Sequence, residues 1–121
     1  MKIYESHNLS KLNTFGISVN AKFFIELESE AGLAKLLQLR EFKENKKIFL
    51  GGGSNVLFTE DFDGMVILNK LKGIEIINQN SEIVLLRAMG GEIWHTLVEF
   101  AVNNGYWGIE NLSFIPGSVG G

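Results

Sequence analysis
The sequence predicts an α+β fold in two lobes, and three observations predict it. Lys22–Leu27 alternates well enough to be a strand, a leucine-faced helix follows it, and Ile48–Leu50 is a second short apolar strand, so Phe23 to Leu50 reads as a β-α-β unit. Ile74–Ile77 and Ile83–Arg87 flank Asn78-Gln79-Asn80-Ser81, the pattern of a hairpin. Glu92–Asn104 reads as a second helix, with Ile93, Leu97, Phe100 and Ala101 on one face.

Taken in order, Met1–Lys11 is polar and predicts irregular chain. After the first strand, Ser29 offers a capping oxygen, and Glu30 suits the positive end of a helix. From Ala31 to about Lys43, Leu33, Leu36, Leu37 and Arg40 recur at 3/4 spacing, which predicts one amphipathic helix. The crossover to the next strand would be right-handed. Asp61–Gly64 reads as a turn before the strand Met65–Leu68, and a boundary between lobes falls near Asn69–Gly73. Gly105 is placed to end the second helix in a left-handed conformation. The tail Tyr106–Gly121 is aromatic and glycine-rich and holds the only proline; its composition suits either a ligand loop or a disordered end.

Composition narrows the function. A chain of 121 residues with 45% hydrophobic content suits one small globular unit. Lys+Arg 11 against Asp+Glu 14 gives net −3, with no basic stripe to attract nucleic acid. No cysteine is present, which excludes disulfides, thiolate metal sites and a cysteine nucleophile. No apolar run approaches the ~20 residues of a membrane-spanning helix. Lys2 is followed by mixed polar residues rather than a leader's apolar segment, so a cytoplasmic protein is expected.

The most informative stretch is Leu50-Gly51-Gly52-Gly53-Ser54-Asn55-Val56-Leu57. Three glycines let backbone N–H groups approach a ligand closely, and successive N–H groups form an anion-binding nest. A Walker A loop is excluded, because no Gly-Lys pair occurs. The dinucleotide pattern G-x-G-x-x-G fails at Val56, and the apolar Val56-Leu57-Phe58 is no amphipathic helix. What remains is a phosphate cradle of turn amides with Ser54 and Asn55, or a plain glycine-rich turn; spacing does not separate the two. Ile115-Pro116-Gly117-Ser118-Val119-Gly120-Gly121 is a second glycine loop that could grip another part of one long ligand. His95, on the second helix beside Trp94, reads as a packing or capping residue, and Glu110-Asn111 as a turn.

Five segments in order resemble the flavin-binding part of the UDP-N-acetylenolpyruvoylglucosamine reductase (UDP-N-acetylmuramate dehydrogenase) family. They are Asn13-Thr14-Phe15-Gly16-Ile17, the Leu50–Leu57 loop, Lys72-Gly73-Ile74-Glu75, the pair Gly90-Gly91-Glu92 (with Trp94-His95) and Gly108–Leu112, and Ile115–Gly121. The resemblance implies a two-lobed FAD-binding fold of the vanillyl-alcohol-oxidase (PCMH) type. Residues 1–70 would form the first lobe around the glycine loop 51–55, and residues 71–121 the start of a second, truncated lobe. By motif position, Gly51, Gly52, Gly53, Ser54 and Asn55 would contact the diphosphate of FAD. Ile115, Pro116, Gly117 and Ser118 would line the flavin and its ribityl chain. The first loop holds no histidine, so the FAD is expected to be non-covalent.

The implied reaction is NADPH-dependent reduction of the enolpyruvyl group of a UDP-sugar to UDP-N-acetylmuramate, for peptidoglycan. Complete family members are more than twice as long, and the substrate domain with its catalytic groups is expected to be absent here; no catalytic residue is assigned. The competing readings are an incomplete enzyme part, a stand-alone flavin or nucleotide-diphosphate binding module, and an inactive fragment. Self-association through apolar surface is a further expectation.

Overall fold
β4 (Phe62–Asn69) is the centre of the first lobe, and the sequence shows why: Met65, Val66 and Ile67 are apolar in succession, and all three are fully buried. A strand covered on both faces carries such a run. The computed structural model, which describes all 121 residues, places β1 (Tyr4–Asn8), β2 (Asn20–Leu27), β4 and β3 (Lys46–Leu50) side by side in that order. β4 runs parallel to both β2 and β3, and β1 is antiparallel to β2. The β-α-β expectation is thereby corrected in one respect: β2 and β3 are parallel but not neighbours, because β4 inserts between them.

Period-2 alternation sorts the side chains of this sheet into two cores. Phe24, Leu50 and Val66 face one way, with Leu9, Val19, Ala21 and Phe58. Ile25, Leu27, Met65 and Ile67 face the other way, against Leu36. That second face is covered by α1 (Glu30–Leu36) and α2 (Arg40–Glu44), where one helix over Ala31–Lys43 was expected. The cap at Ser29 is as expected, its Oγ accepting from the Gly32 N–H at 3.0 Å. The break lies at Leu39, whose backbone is extended (φ −63°, ψ 137°). It turns Leu39 and Phe42 onto the core beside Leu33, while Leu37 is left 47% exposed.

β1 corrects the expectation of an irregular N-terminus. Tyr4 pairs with Phe24, and the His7 ring stacks on Phe24 at 4.1 Å. Ser6 takes a left-handed conformation (φ +48°) that offsets the alternation, so Tyr4 and His7 share a face three residues apart. β4 also starts earlier than expected: Gly64 is inside the strand, opposite Lys46. A Cβ there would meet the Lys46 carbonyl at 2.7 Å, which explains the glycine.

The second lobe holds β5 (Ile74–Gln79) and β6 (Val84–Ala88), an antiparallel pair, and α3 (Trp94–Asn103). The hairpin turn is shifted two residues from expectation, because Asn80 Oδ1 accepts from the Glu82 and Ile83 N–H groups at 2.8 Å each. α3 buries Leu97, Val98 and Ala101 and ends as expected at Gly105 (φ +73°). Lys70–Gly73 joins the lobes: the Lys70 N–H donates to Leu27 O, the Gly91 N–H to Leu71 O, and the Gly73 N–H to Glu92 Oε1.

Candidate functional site
The Gly51–Asn55 loop leaves the C-terminal end of β3, where ligands sit in parallel α/β sheets. Facing it is the tail. A cavity of about 640 Å³ lies between the two, lined by Phe49–Val56, Trp94 and Ile115–Gly121. The two glycine segments, separated by about half the chain, are the two walls of one concavity, within the size range of small-molecule sites.

Each glycine of the first loop has its own steric reason. A Cβ on Gly51 would collide with Ser118 Oγ at 2.3 Å, and one on Gly52 would stand 3.3 Å from Gly117 Cα. At Gly53, φ is +67° and a Cβ would fall 2.0 Å from the Leu12 carbonyl oxygen. The walls therefore approach as closely as backbone permits. None of the N–H groups of Gly51, Gly52, Gly53, Ser54 or Asn55 donates to another protein group, and neither do those of Gly117 and Ser118. Ser118 Oγ is buried and has no hydrogen-bond partner. A buried hydroxyl without a partner is costly, and the unpaired N–H groups of the two loops are free to donate to a ligand in the cavity.

The tail is held by α3 and the turn before it. The Trp94 N–H donates to Gly117 O (3.1 Å), the Val119 N–H to Glu92 O (2.9 Å) and the Gly120 N–H to Gly90 O (2.9 Å). Trp94 Nε1 donates to Leu112 O at 2.7 Å. His95 packs, as expected: its ring stacks on Phe114 at 4.3 Å, and its Nδ1 accepts from the Phe114 N–H. Phe114 sits at φ +59°, an uncommon conformation for an aromatic residue, immediately before the loop. Glu110 closes the expected turn. Its own N–H and that of Gly108 hold its carboxyl below the usual carboxylate range.

No Lys, Arg, Asp or Glu lines the cavity, so any anion there would be met by peptide dipoles and hydroxyls rather than by a cation. All nine residues singled out from the sequence, Gly51 to Asn55 and Ile115 to Ser118, line it together. Sequence reasoning missed Trp94 as the residue that ties α3 to the tail. Its signal was a large aromatic at the first position of a helix, three residues after Gly-Gly. A second concavity of about 570 Å³, more apolar, lies between the hairpin and α3 and shares only Trp94 with the first.

A mixed sheet flanked by a smaller lobe, with a cavity between two glycine loops, is the arrangement of a cofactor-binding domain, and the family match says which. The chain belongs to the FAD binding domain family, which matches residues 21–121. It is 43% identical over 120 residues to the UDP-N-acetylenolpyruvoylglucosamine reductase of Amoebophilus asiaticus, covering 99% of this chain and 35% of that one. The reductases of Flavobacterium johnsoniae (44% over 120 residues, 99% and 35%) and Neisseria meningitidis (46% over 113 residues, 93% and 33%) are similar to the same extent. The chain thus spans about a third of the length of the curated relatives it matches. Among solved structures, the reductase of Thermus caldophilus shares the fold, with a TM-score of 0.66 at 22% identity over 99% of this chain and 40% of that one. The two-lobed FAD-binding architecture expected from the sequence is confirmed.

Proposed function
We propose that this chain holds the diphosphate of non-covalently bound FAD on Gly51–Asn55 and the flavin and ribityl chain against Ile115–Ser118. Residues 1–70 and 71–121 act as the two lobes that flank the cofactor. One observation carries the reading: the N–H groups of Gly51–Asn55 have no protein acceptor, and their loop forms one wall of a cavity whose other wall holds the Ser118 hydroxyl, also without a partner. Both loops lie within the stretch that the FAD binding domain family matches.

By likeness to the reductases, FAD bound here would supply hydride transfer from NADPH to the enolpyruvyl double bond of a UDP-sugar, in cytoplasmic synthesis of a peptidoglycan precursor. The residues of this chain bind and orient the cofactor. The groups that act on the sugar are assigned to the two thirds of the relatives' length that it does not match. That coverage favours a second reading in part: taken alone, these 121 residues are a flavin-binding module without turnover. NADPH consumption in the presence of the enolpyruvyl UDP-sugar separates the two, and the module reading expects none.

The cofactor assignment is tested by titrating FAD into the wild-type chain and into Gly52→Val. Partial enclosure of the ligand makes weak, saturable binding the expected wild-type behaviour. The variant places its methyl groups in the cavity and should lose at least about tenfold in affinity, equivalent to about 1.4 kcal/mol. Equal affinities would remove this loop from the site.

A further inference from the structure
Asn13 is the one buried polar residue of the chain, at 7% exposure, and the cavity does not include it. Its carboxamide closes the loop between Leu9 and Ile17: Nδ2 donates to Leu9 O (2.8 Å) and Ile17 O (3.0 Å), and Oδ1 accepts from the Ile17 N–H (3.0 Å). Two carbonyls and one N–H are matched by an amide in a single orientation, and by no other side chain of that size. The loop so closed lies directly behind the glycine cradle. The Thr14 N–H donates to Gly53 O at 3.0 Å, and Leu12 O and Asn13 Cα stand where a Gly53 side chain would be.

We propose that Asn13 is a positioning residue for the diphosphate, acting through the Gly53–Ser54 peptide; the inference rests on the FAD reading above. In a trans peptide the carbonyl of one residue and the N–H of the next point in opposite directions. No cis peptide is present, so fixing the Gly53 carbonyl toward Thr14 aims the Ser54 N–H the other way. Ser54 lines the cavity, whereas Leu12, Asn13 and Thr14 do not. The Ser54 N–H is therefore the donor that Asn13 orients, without touching the ligand, toward a phosphate oxygen. A pre-aimed donor spares the ligand the cost of ordering the loop.

The test uses the full chain labelled with 15N. Asn13→Asp keeps the shape but turns an acceptor toward two carbonyls. Thr14→Pro leaves the Asn13 side chain in place, since the extended backbone of Asn13 (φ −136°, ψ 142°) suits a residue before proline. It deletes the N–H that holds Gly53, along with the Thr14 side chain, so it serves if Asn13 variants fold poorly. Three changes are expected in both: the Ser54 amide resonance moves in the free protein, its response to added FAD shrinks, and the FAD dissociation constant rises about tenfold or more, as loss of one hydrogen bond to a charged group implies. Leu36→Ala, on the far face of the sheet, should lower stability and leave the dissociation constant unchanged. Wild-type FAD affinity and an unmoved Ser54 resonance in both variants would reduce Asn13 to a fold staple and overturn the inference alone. A wild-type chain that fails to bind FAD would instead overturn the cofactor reading, and this one with it.

Discussion
At the residue scale, the three glycines of the cradle are not interchangeable. Gly53 is left-handed and pressed on the Leu12 carbonyl, whereas Gly52 is exposed, has no left-handed φ, and would bring a Cβ to 3.3 Å from Gly117 Cα, tight but relieved by a shift of a few tenths of an ångström. Gly53→Ala should therefore cost about 2–4 kcal/mol, from strain plus collision, and Gly52→Ala less than about 1 kcal/mol. Urea denaturation of the pair checks this, and equal losses would contradict the geometry. A second expectation concerns salt. With no cation in the lining, FAD affinity should stay within about threefold between low and high ionic strength, since screening has no close charge pair to weaken. A steep fall in affinity with salt would reveal a cation that the site does not show. Glu110 gives the pH dependence. Its carboxyl titrates below its unfolded value, so its contribution to the Tyr106–Leu112 turn is complete at neutral pH. That contribution is lost as pH falls through the lowered folded value. Glu110→Gln should lower the protection of the Gly108 amide, bonded to Glu110 at 2.6 Å, against exchange at neutral pH, and leave that protection, measured relative to the intrinsic rate, nearly indifferent to acidification.

At the element scale, what could be read from the sequence was whatever has a local signal. The strands β3, β5 and β6, the Ser29 cap and the Gly105 stop follow from runs of apolar residues and from the backbone freedom of single residues. β1 could not be read that way, because the left-handed Ser6 cancels the alternation and the strand exists through pairing with β2 and ring stacking on Phe24. The break between α1 and α2 was equally hidden. Leucines continue across it at helical spacing, and only the second core decides that Leu39 rather than Leu37 is turned inward. The order β2-β4-β3 depends on a long-range insertion that no local pattern carries. The nine residues that line the glycine-walled cavity were readable as a group because both loops announce themselves by glycine. The contacts of Trp94 and Asn13 were not, although both stand in segments that carry the resemblance, because those contacts are long-range or made to backbone. Leu36, fully buried under the helix pair, tests the packing: Leu36→Ala should cost about 2–5 kcal/mol. A loss below 1 kcal/mol would mean that α1 is not docked on the sheet as described.

At the scale of the whole molecule, the two lobes differ in how completely they are covered. The four-stranded sheet is buried on both faces. The β5–β6 pair has only two strands and leaves Ile76, Ile77, Ile83 and Leu85 between 43% and 65% exposed. A two-stranded sheet with apolar faces and open edges is marginal by itself and a template for pairing. Concentration-dependent association of this chain with itself is accordingly expected in light scattering, and a strict monomer at high concentration would contradict it. The proposed cofactor site separates the two cavities of the molecule. The hollow beside the hairpin is lined by more apolar residues, whereas the glycine-walled cavity has backbone N–H groups without a protein acceptor on both sides. The most direct test of that distinction is to follow the backbone amide resonances of the 15N-labelled chain as FAD is added. The account predicts that the shifts concentrate on Gly51–Asn55 and Gly117–Gly121. Shifts centred instead on Gln79–Leu86 and Asn104–Ile109, with the glycine loops silent, would contradict it.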